Sequence, residues 1–350
     1  MRKNFGDQFN DFSESSIAIM LIEMWAFIAD TLSFKIDQLA NELFIDTVTD
    51  FDNIFRLSRL VGFNPTPPLP AKAMFTATIN HPQTSDIVIG TPVTLSIPEL
   101  KGFDQYFELF AADNNNNPIF GESIVIPAGK THINSIVGIQ GSSFNENFTS
   151  NGKANQMFPL EYNYVQFGSI KVTVDNTLWD EVEYFTESKP KMEYRVEFDS
   201  LYKAYVLFGD NKGGMIPPQG AKIRLRYRMG GGSSGNIITG AFNETVYADV
   251  PGLGNPLSVI MRNYTRGEFG YDGDDIDDIR IKLPNYLRSQ ERAVTGDDYK
   301  NLVDQFKTPY NGIVGKSTIV LRNHGCAGNV IDCYILSKEG DNELVKANDN

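Results

Sequence analysis

The sharpest candidate for ligand chemistry in this sequence is a glycine-rich segment. Gly230-Gly-Gly-Ser-Ser-Gly235 fits the spacing G-x-G-x-x-G and follows an alternating segment that is typical of a β-strand. A dinucleotide site of this kind needs a helix directly after the glycines, whose N-terminus faces the pyrophosphate. The residues that follow, Asn236-Ile-Ile-Thr-Gly240, are β-prone and include another glycine. The segment therefore predicts a tight, glycine-dependent backbone crossing and no nucleotide cofactor.

A run of aspartates between Asp272 and Asp278 is a second candidate, in this case for calcium. An EF-hand loop that begins at Asp272 requires glycine and glutamate at two later positions, where this sequence has Asp277 and Leu283. Carboxylates also stabilise the positive end of a helix dipole. We interpret the run as the start of a helix and expect no metal site.

Catalytic patterns are sparse elsewhere. Asp180, Glu181 and Glu183 lie beside Trp179 and could supply a carboxylate pair for glycoside cleavage, but that mechanism depends on a separation that sequence does not give. We interpret them as a solvated strand edge. The zinc-protease pattern H-E-x-x-H does not occur, and Cys326 and Cys333 lack the further ligands of a zinc site. We expect no catalytic residues, no cofactor and no enzymatic activity.

Composition limits the partners of the chain. Its 350 residues predict two to four domains, and its net charge of −13 argues against a nucleic-acid binder. The most apolar run, 17–34, is interrupted by Glu23 and Asp30, which favours a covered helix over a membrane span. We expect neither a membrane span nor a small-molecule ligand.

The N-terminal elements are helical. No glycine or proline occurs from Asp7 to Val61, and Asp50 or Thr49 is placed to cap a second helix. The first helix is apolar around much of its circumference and must be covered by another domain or another chain. We predict that its inter-subunit contacts are made by Ile17, Leu21, Met24, Trp25, Ile28, Leu32, Ile36, Leu39 and Leu43.

The rest of the chain predicts β-modules and then a mixed end, so that the fold class is α+β and multidomain. Pro284 should kink or split a helix, Thr295 to Asp298 resembles a capping box, and two strands follow. Arg224, Arg226 and Arg228 alternate along one strand and predict either a solvent-facing basic stripe or a docking stripe for an acidic partner. The predicted divisions are a helical region 1–63, a proline-rich linker 64–70, β-modules 71–160 and 161–250, and a C-terminal α+β module 251–350.

Ordered sequence blocks resemble the baseplate J-like family of contractile tails. The N-terminal helix of that family is matched from Ile22-Glu23 to Ala40-Asn-Glu42, and its glycine–proline turn is matched from Gly62 to Pro68. The central blocks F-G-D-x-x-x-G-x-I-P-P-x-G and I-R-x-x-Y-R-x-G-G-G-x-x-G-N occur at 208–220 and 223–236. A final arginine-rich block runs from Arg280 to Tyr299. The resemblance spans roughly residues 15 to 336, although Gly90 replaces a proline of the pattern.

The resemblance implies a wedge subunit of a baseplate, located in the virion and assembled in the host cytoplasm. Its partners would be other copies of itself, other wedge subunits and tail hub proteins. From it we also predict ring-closing contacts at Arg280, Arg288, Arg292 and Tyr299, and participation in the contraction-linked rearrangement.

Two alternatives remain open from the sequence. A carbohydrate-binding tail adhesin or depolymerase also combines glycine-rich β-modules, although such proteins usually show fibre or solenoid repeats. The same subunit could instead serve a tail-derived injection machine that carries no genome.

Overall fold

The computed structural model describes residues 17–100, 103–186, 189–250, 256–289, 292–308, 312–323, 329–339 and 343–346. The chain divides into two units, Met1–Phe63 and Asn64–Asn350. Helices at the N-terminus, strands through the centre, and helices followed by strands at the end confirm the predicted α+β multidomain class.

Two helices form the described part of the first unit. Helix α1 (Ile17–Asn41) has 25 residues, and helix α2 (Phe51–Leu60) has ten. Helix α2 begins at Asp50, whose carboxylate accepts a hydrogen bond from the backbone N–H of Asp52 at 2.9 Å. This confirms Asp50 as one of the two predicted caps.

The second unit contains one large antiparallel sheet, with a small two-stranded sheet beside it. In spatial order its main strands are β16 (Asn243–Ala248), β17 (Leu257–Asn263), β1 (Lys72–Thr78), β7 (His132–Gln140), β4 (Phe103–Ala112) and β3 (Val93–Leu100). Strand β5 (Pro118–Ile119) pairs with β4, and β2 (Ile87–Ile89) pairs with β6 (Ile124–Ile126). Phe75, Phe107 and Phe242 pack together at the centre of its core, with ring centroids 5.2–6.4 Å apart.

Two four-stranded sheets pack face to face as a β-sandwich. The first sheet consists of β11 (Thr177–Leu178), β10 (Lys171–Val174), β15 (Lys222–Met229) and β8 (Ser142–Thr149). The second consists of β12 (Asp180–Glu181), β13 (Glu193–Phe198), β14 (Ala204–Phe208) and β9 (Met157–Pro159). Their shared core includes Leu225 and Tyr227 from one sheet and Tyr194 and Val206 from the other.

The C-terminal part consists of two helices and a fourth four-stranded sheet. Helix α3 (Ile276–Ser289) runs through Pro284 without being split, which corrects one predicted outcome, and helix α4 (Gly296–Asp304) begins with the predicted capping box of Thr295 and Asp298. The sheet consists of β18 (Lys307–Thr308), β19 (Gly312–Asn323), β20 (Asn329–Glu339) and β21 (Glu343–Lys346), which include the two predicted strands.

Strand pairing crosses two of the predicted domain boundaries. Strand β17 pairs with β1 from Phe75 opposite Asn263 to Thr78 opposite Ile260, so residues after 250 complete the sheet that begins near 71. The sandwich is thus inserted, in chain order, between strands of the large sheet. The boundaries at 160 and 250 remain predictions about independent folding.

Candidate assembly surfaces

The nine apolar side chains predicted for inter-subunit contact are all exposed in the chain. The exposed fraction ranges from 38% at Ile28 to 78% at Ile17. Eight of the nine lie on α1, where Phe27 and Phe34 are exposed too, whereas Leu43 lies in the turn after the end of α1 at Asn41. Monomeric proteins seldom expose so large a contiguous apolar surface, because covering each such side chain stabilises by about 1.5–3 kcal/mol. The expectation that another domain or another chain covers helix α1 therefore stays a prediction.

A glutamate fixes the turn between the two N-terminal helices. The Glu42 carboxylate accepts hydrogen bonds from the hydroxyl and the backbone N–H of Thr49, at 2.6 and 3.1 Å. It also accepts from the backbone N–H of Asp50 at 3.2 Å and from the side-chain amide of Asn53 at 3.1 Å. These donors, of which the Thr49 hydroxyl contributes most, lower the pKa of Glu42 to about 2. Glu42 belongs to the sequence block that resembles the N-terminal helix of the baseplate J-like family. The spacing of the neighbouring residues did not predict that it would accept these hydrogen bonds.

The second predicted contact set is distributed over helices α3 and α4. Arg280 is half-buried and pairs with Asp277 at 2.8 Å, whereas Arg288 is exposed at the end of α3. Arg292 is exposed and lies near Asp298. The pKa of Asp298 is lowered mainly by the backbone N–H of Thr295, and the charge of Arg292 is a smaller cause. Tyr299 is half-buried in α4. Ring closure through these four residues remains a prediction.

The aspartate run does more than stabilise the start of a helix. Asp275 accepts from the backbone N–H of Asp278 at 2.7 Å, which is the predicted N-terminal role. Asp274 is buried, pairs with Lys282, and accepts from the Tyr271 hydroxyl at 2.9 Å and from the backbone N–H of Thr66 at 2.8 Å. The run therefore anchors the proline-rich segment to helix α3, a non-local contact that sequence spacing does not reveal.

The glycine triplet makes the expected tight crossing. Gly230, Gly231 and Gly232 all have positive φ, and a short 3-10 turn (Ser233–Gly235) follows them where a dinucleotide site needs a helix. A Cβ on Gly232 would lie 2.6 Å from an Asp272 carboxylate oxygen. That carboxylate accepts from the backbone N–H and the hydroxyl of Ser233, both at 2.7 Å. Asp272 thus holds the crossing in place.

Arg228 departs from the predicted exposed stripe. Arg224 and Arg226 are exposed as expected, but Arg228 is only 3% exposed and forms an ion pair with buried Glu108. Its guanidinium also donates to Gln166 at 3.2 Å and to the backbone oxygen of Ile139 at 3.1 Å. The end of β15 reaches the large sheet at this point. The alternating pattern of the strand predicted that Arg228 would be exposed, and that prediction was wrong because the large sheet covers this end of the strand.

The C-terminal sheet is thinly covered. Among the described side chains of its four strands, Ser317 is the one that is buried. Leu321, Tyr334 and Leu336 are exposed by 59%, 53% and 38%. Cys333 is a free, exposed thiol on β20, and Cys326 and His324 lie outside the described residues. This sheet is a second apolar surface that a partner could cover.

No group of three or more potential metal ligands occurs among the residues that the structure describes. No helix in the described ranges is long and apolar enough to cross a membrane. Trp179 packs edge-on against Phe208 in the sandwich core, with ring centroids 5.2 Å apart, while Asp180 and Glu183 remain exposed at the strand edge as predicted.

One family model matches the N-terminal part of the chain. The model of the bacteriophage baseplate protein, N-terminal domain, matches residues 7–60. This range contains α1, the Glu42 turn and α2, and with them the exposed apolar side chains of α1. The match supports a structural baseplate protein, located at a phage tail baseplate.

Other comparisons add little. No curated protein matches the chain. A chain from the structure of the type VI secretion system TssK-TssF-TssG baseplate subcomplex, revealed by cryo-electron microscopy, is 10% identical, with 91% of this chain and 88% of that chain covered and a TM-score of 0.29.

Proposed function

We propose that this chain is a structural, non-enzymatic wedge or ring subunit of a contractile tail baseplate that assembles around the tail hub. The observation that carries the proposal is helix α1, whose apolar side chains are exposed along its whole length. The family match over residues 7–60 supports a baseplate setting for that helix. Its 25 residues correspond to a rod of about 37 Å, which is long enough to pack along a partner helix.

The partners that fit this role are other copies of the chain, other wedge subunits and tail hub proteins. Packing of α1 into a helix bundle would bury apolar surface on both partners and stabilise the complex. The subunit takes part in contraction by switching between discrete packings, because packed interfaces are bistable rather than elastic. It resides in the virion after assembly in the host cytoplasm, or in a tail-derived injection machine.

The double substitution Leu32→Asp and Ile36→Asp tests this role of α1. We expect it to abolish incorporation into particles, because two carboxylates would have to be buried without partners. Both side chains are more than half exposed in the chain, so the isolated variant should keep the wild-type circular dichroism spectrum. The chain is produced together with the remaining tail proteins of its own gene cluster, and incorporation is measured by mass spectrometry of purified particles.

The matched control is Ser33→Asp with Gln38→Asp, which adds the same charge to exposed polar positions of the same helix. It should retain most of the wild-type incorporation. Equal incorporation of Leu32→Asp/Ile36→Asp and the wild type would refute the proposed role of α1.

A further inference from the structure

The outer face of one sandwich sheet carries a cluster of exposed cations. Lys171 lies on β10, and Lys222, Arg224 and Arg226 lie on β15. Lys171 stands directly opposite Arg226 in the antiparallel register. Like charges in that position destabilise a sheet, because their Cβ atoms lie only about 4.5–5.5 Å apart. We call these four residues the basic face.

Neutral polar residues on the neighbouring strands lie beside the cations of the basic face. Arg224 lies between Thr173 on β10 and Asn147 on β8, and Asn145 lies beside Arg226. Among the ion pairs of the described residues, none involves Lys222, Arg224 or Arg226. Burial raises the pKa of Glu181, and the charge of Lys171 opposes that shift, so Lys171 has a carboxylate near it. Three of the four cations are therefore left to solvent.

A groove of about 470 Å³ runs along the part of this face that contains Lys222 and Arg224. Asn147, Thr173, Lys222 and Arg224 line it, together with the turn at Asp175. The Asp175 carboxylate is already engaged, since it accepts from the backbone N–H of Lys222 at 2.8 Å. Phe148, Thr149 and Asn176 complete the lining, so the groove combines apolar and neutral polar surface with the cations Lys222 and Arg224. These two cations suit carboxylates of a partner.

The charge of the chain itself identifies an occupant. The four cations are among 31 basic residues, whereas the chain has 44 acidic ones, so the remaining surface of any copy is strongly acidic. Exposed carboxylates on that surface include Asp180 and Glu183 at the edge of the second sandwich sheet. Complementary charge between two different surfaces of one chain favours a head-to-tail contact, which forms rings when its rotation closes.

We propose that the basic face docks on an acidic surface of a second copy of this chain. The contact rests on the proposed function, because a ring subunit meets its own copies in a repeating arrangement. It is separate from the apolar contacts of α1, since it depends on charge and is weakened by salt.

The test uses the full-length chain with Leu32→Asp and Ile36→Asp in every protein, so that association through α1 is removed. The charge-reversal variant adds Lys222→Glu, Arg224→Glu and Arg226→Glu. The control adds Lys130→Glu, Lys153→Glu and Lys316→Glu, which are exposed cations elsewhere and give the same change in net charge. Self-association is measured by sedimentation velocity at low and at high ionic strength.

We expect the parent to self-associate at low salt and to dissociate at high salt. The charge reversal should weaken association by at least about tenfold, because like charges then face each other, and the control should stay near the parent. A parent that remains monomeric at low salt, or equal loss in both variants, would overturn the proposal. Binding of an acidic polysaccharide or of DNA by the basic face, without copy–copy association, would overturn it too.

These outcomes are independent of the test of α1. If particle incorporation is unaffected by Leu32→Asp/Ile36→Asp, the proposed role of α1 fails, whatever the salt dependence of association. If incorporation depends on α1 but salt-sensitive association is absent, only the basic-face contact fails.

Discussion

At the residue scale, one buried ion pair joins two sheets of the second unit. Arg228 lies at the end of β15 in the sandwich, and Glu108 lies on β4 of the large sheet. Glu108 also accepts from the hydroxyl and the backbone N–H of Ser143, at 2.6 and 2.7 Å. The Arg228 guanidinium lies over the Phe110 ring, 5.2 Å from its centroid. Charge, hydrogen bonds and aromatic packing therefore meet at one junction.

Removal of one partner of this pair should destabilise the chain strongly. Arg228→Met leaves Glu108 buried without its cation, which typically costs about 3–5 kcal/mol. The double variant Arg228→Met/Glu108→Met should be more stable than the sum of the two single losses predicts. Chemical denaturation of the four proteins of this cycle measures the coupling.

Arg226→Met is the matched control, because its side chain is exposed two residues earlier on the same strand. We expect it to change the free energy of unfolding by no more than about 0.5 kcal/mol. Equal effects of Arg228→Met and Arg226→Met would show that the junction contributes nothing to stability.

At the element scale, the turn between α1 and α2 sets the geometry of the first unit. Glu42 receives four hydrogen bonds there, from Thr49, Asp50 and Asn53. Its pKa is lowered from an ordinary glutamate value to about 2. A lowered pKa means that the stabilisation is complete above the ordinary glutamate range and is lost as the pH falls toward about 2.

We therefore expect the turn of the wild type to loosen when the pH falls below the ordinary range of glutamate pKa values. Glu42→Gln should remove this pH dependence and weaken the turn at neutral pH, because a neutral amide accepts the same donors less strongly. NMR measurement of the Glu42 carboxyl and of the Thr49 and Asp50 amides against pH follows both effects. Glu23→Gln, an exposed change on α1, is the control and should leave these amide shifts unaltered. An ordinary titration of Glu42 would contradict the structure of the turn.

Elements whose signals are local could be predicted from the sequence. The spacing of apolar residues predicted α1, and Thr295 with Asp298 predicted the cap of α4. The three glycines predicted a tight crossing because glycine adopts positive φ without steric cost, and all three do so. Each of these signals depends on residues only a few positions apart.

Non-local contacts could not be predicted in the same way. Pairing of β1 with β17 joins residues far apart in the chain, and the bond from Thr66 to Asp274 does so too. The burial of Arg228 depends on a second sheet that approaches the end of its strand. Pro284 was expected to kink or split a helix, but α3 is not split there, and Ile279 and Leu283 on the same helix are buried.

At the scale of the whole molecule, the chain combines β-modules that have buried cores with apolar surfaces that are exposed among the described residues. The large sheet and the sandwich have well-buried cores, whereas α1 and the C-terminal sheet do not. Under the proposed function, association with other chains buries this surface and stabilises the protein. The proposal therefore predicts that Leu32, Ile36 and Leu321, which are exposed in the isolated chain, are covered in the assembled particle.

The most direct test of the baseplate proposal is electron microscopy of the particle from which this chain is purified, with the chain labelled by a small C-terminal tag. We expect a ring in which the label repeats with the rotational symmetry of the tail and in which density covers α1. A free monomer, or a fibre-like trimer that binds polysaccharide, would contradict the proposal. That result would favour a tail adhesin and direct attention to the exposed carboxylates beside Trp179.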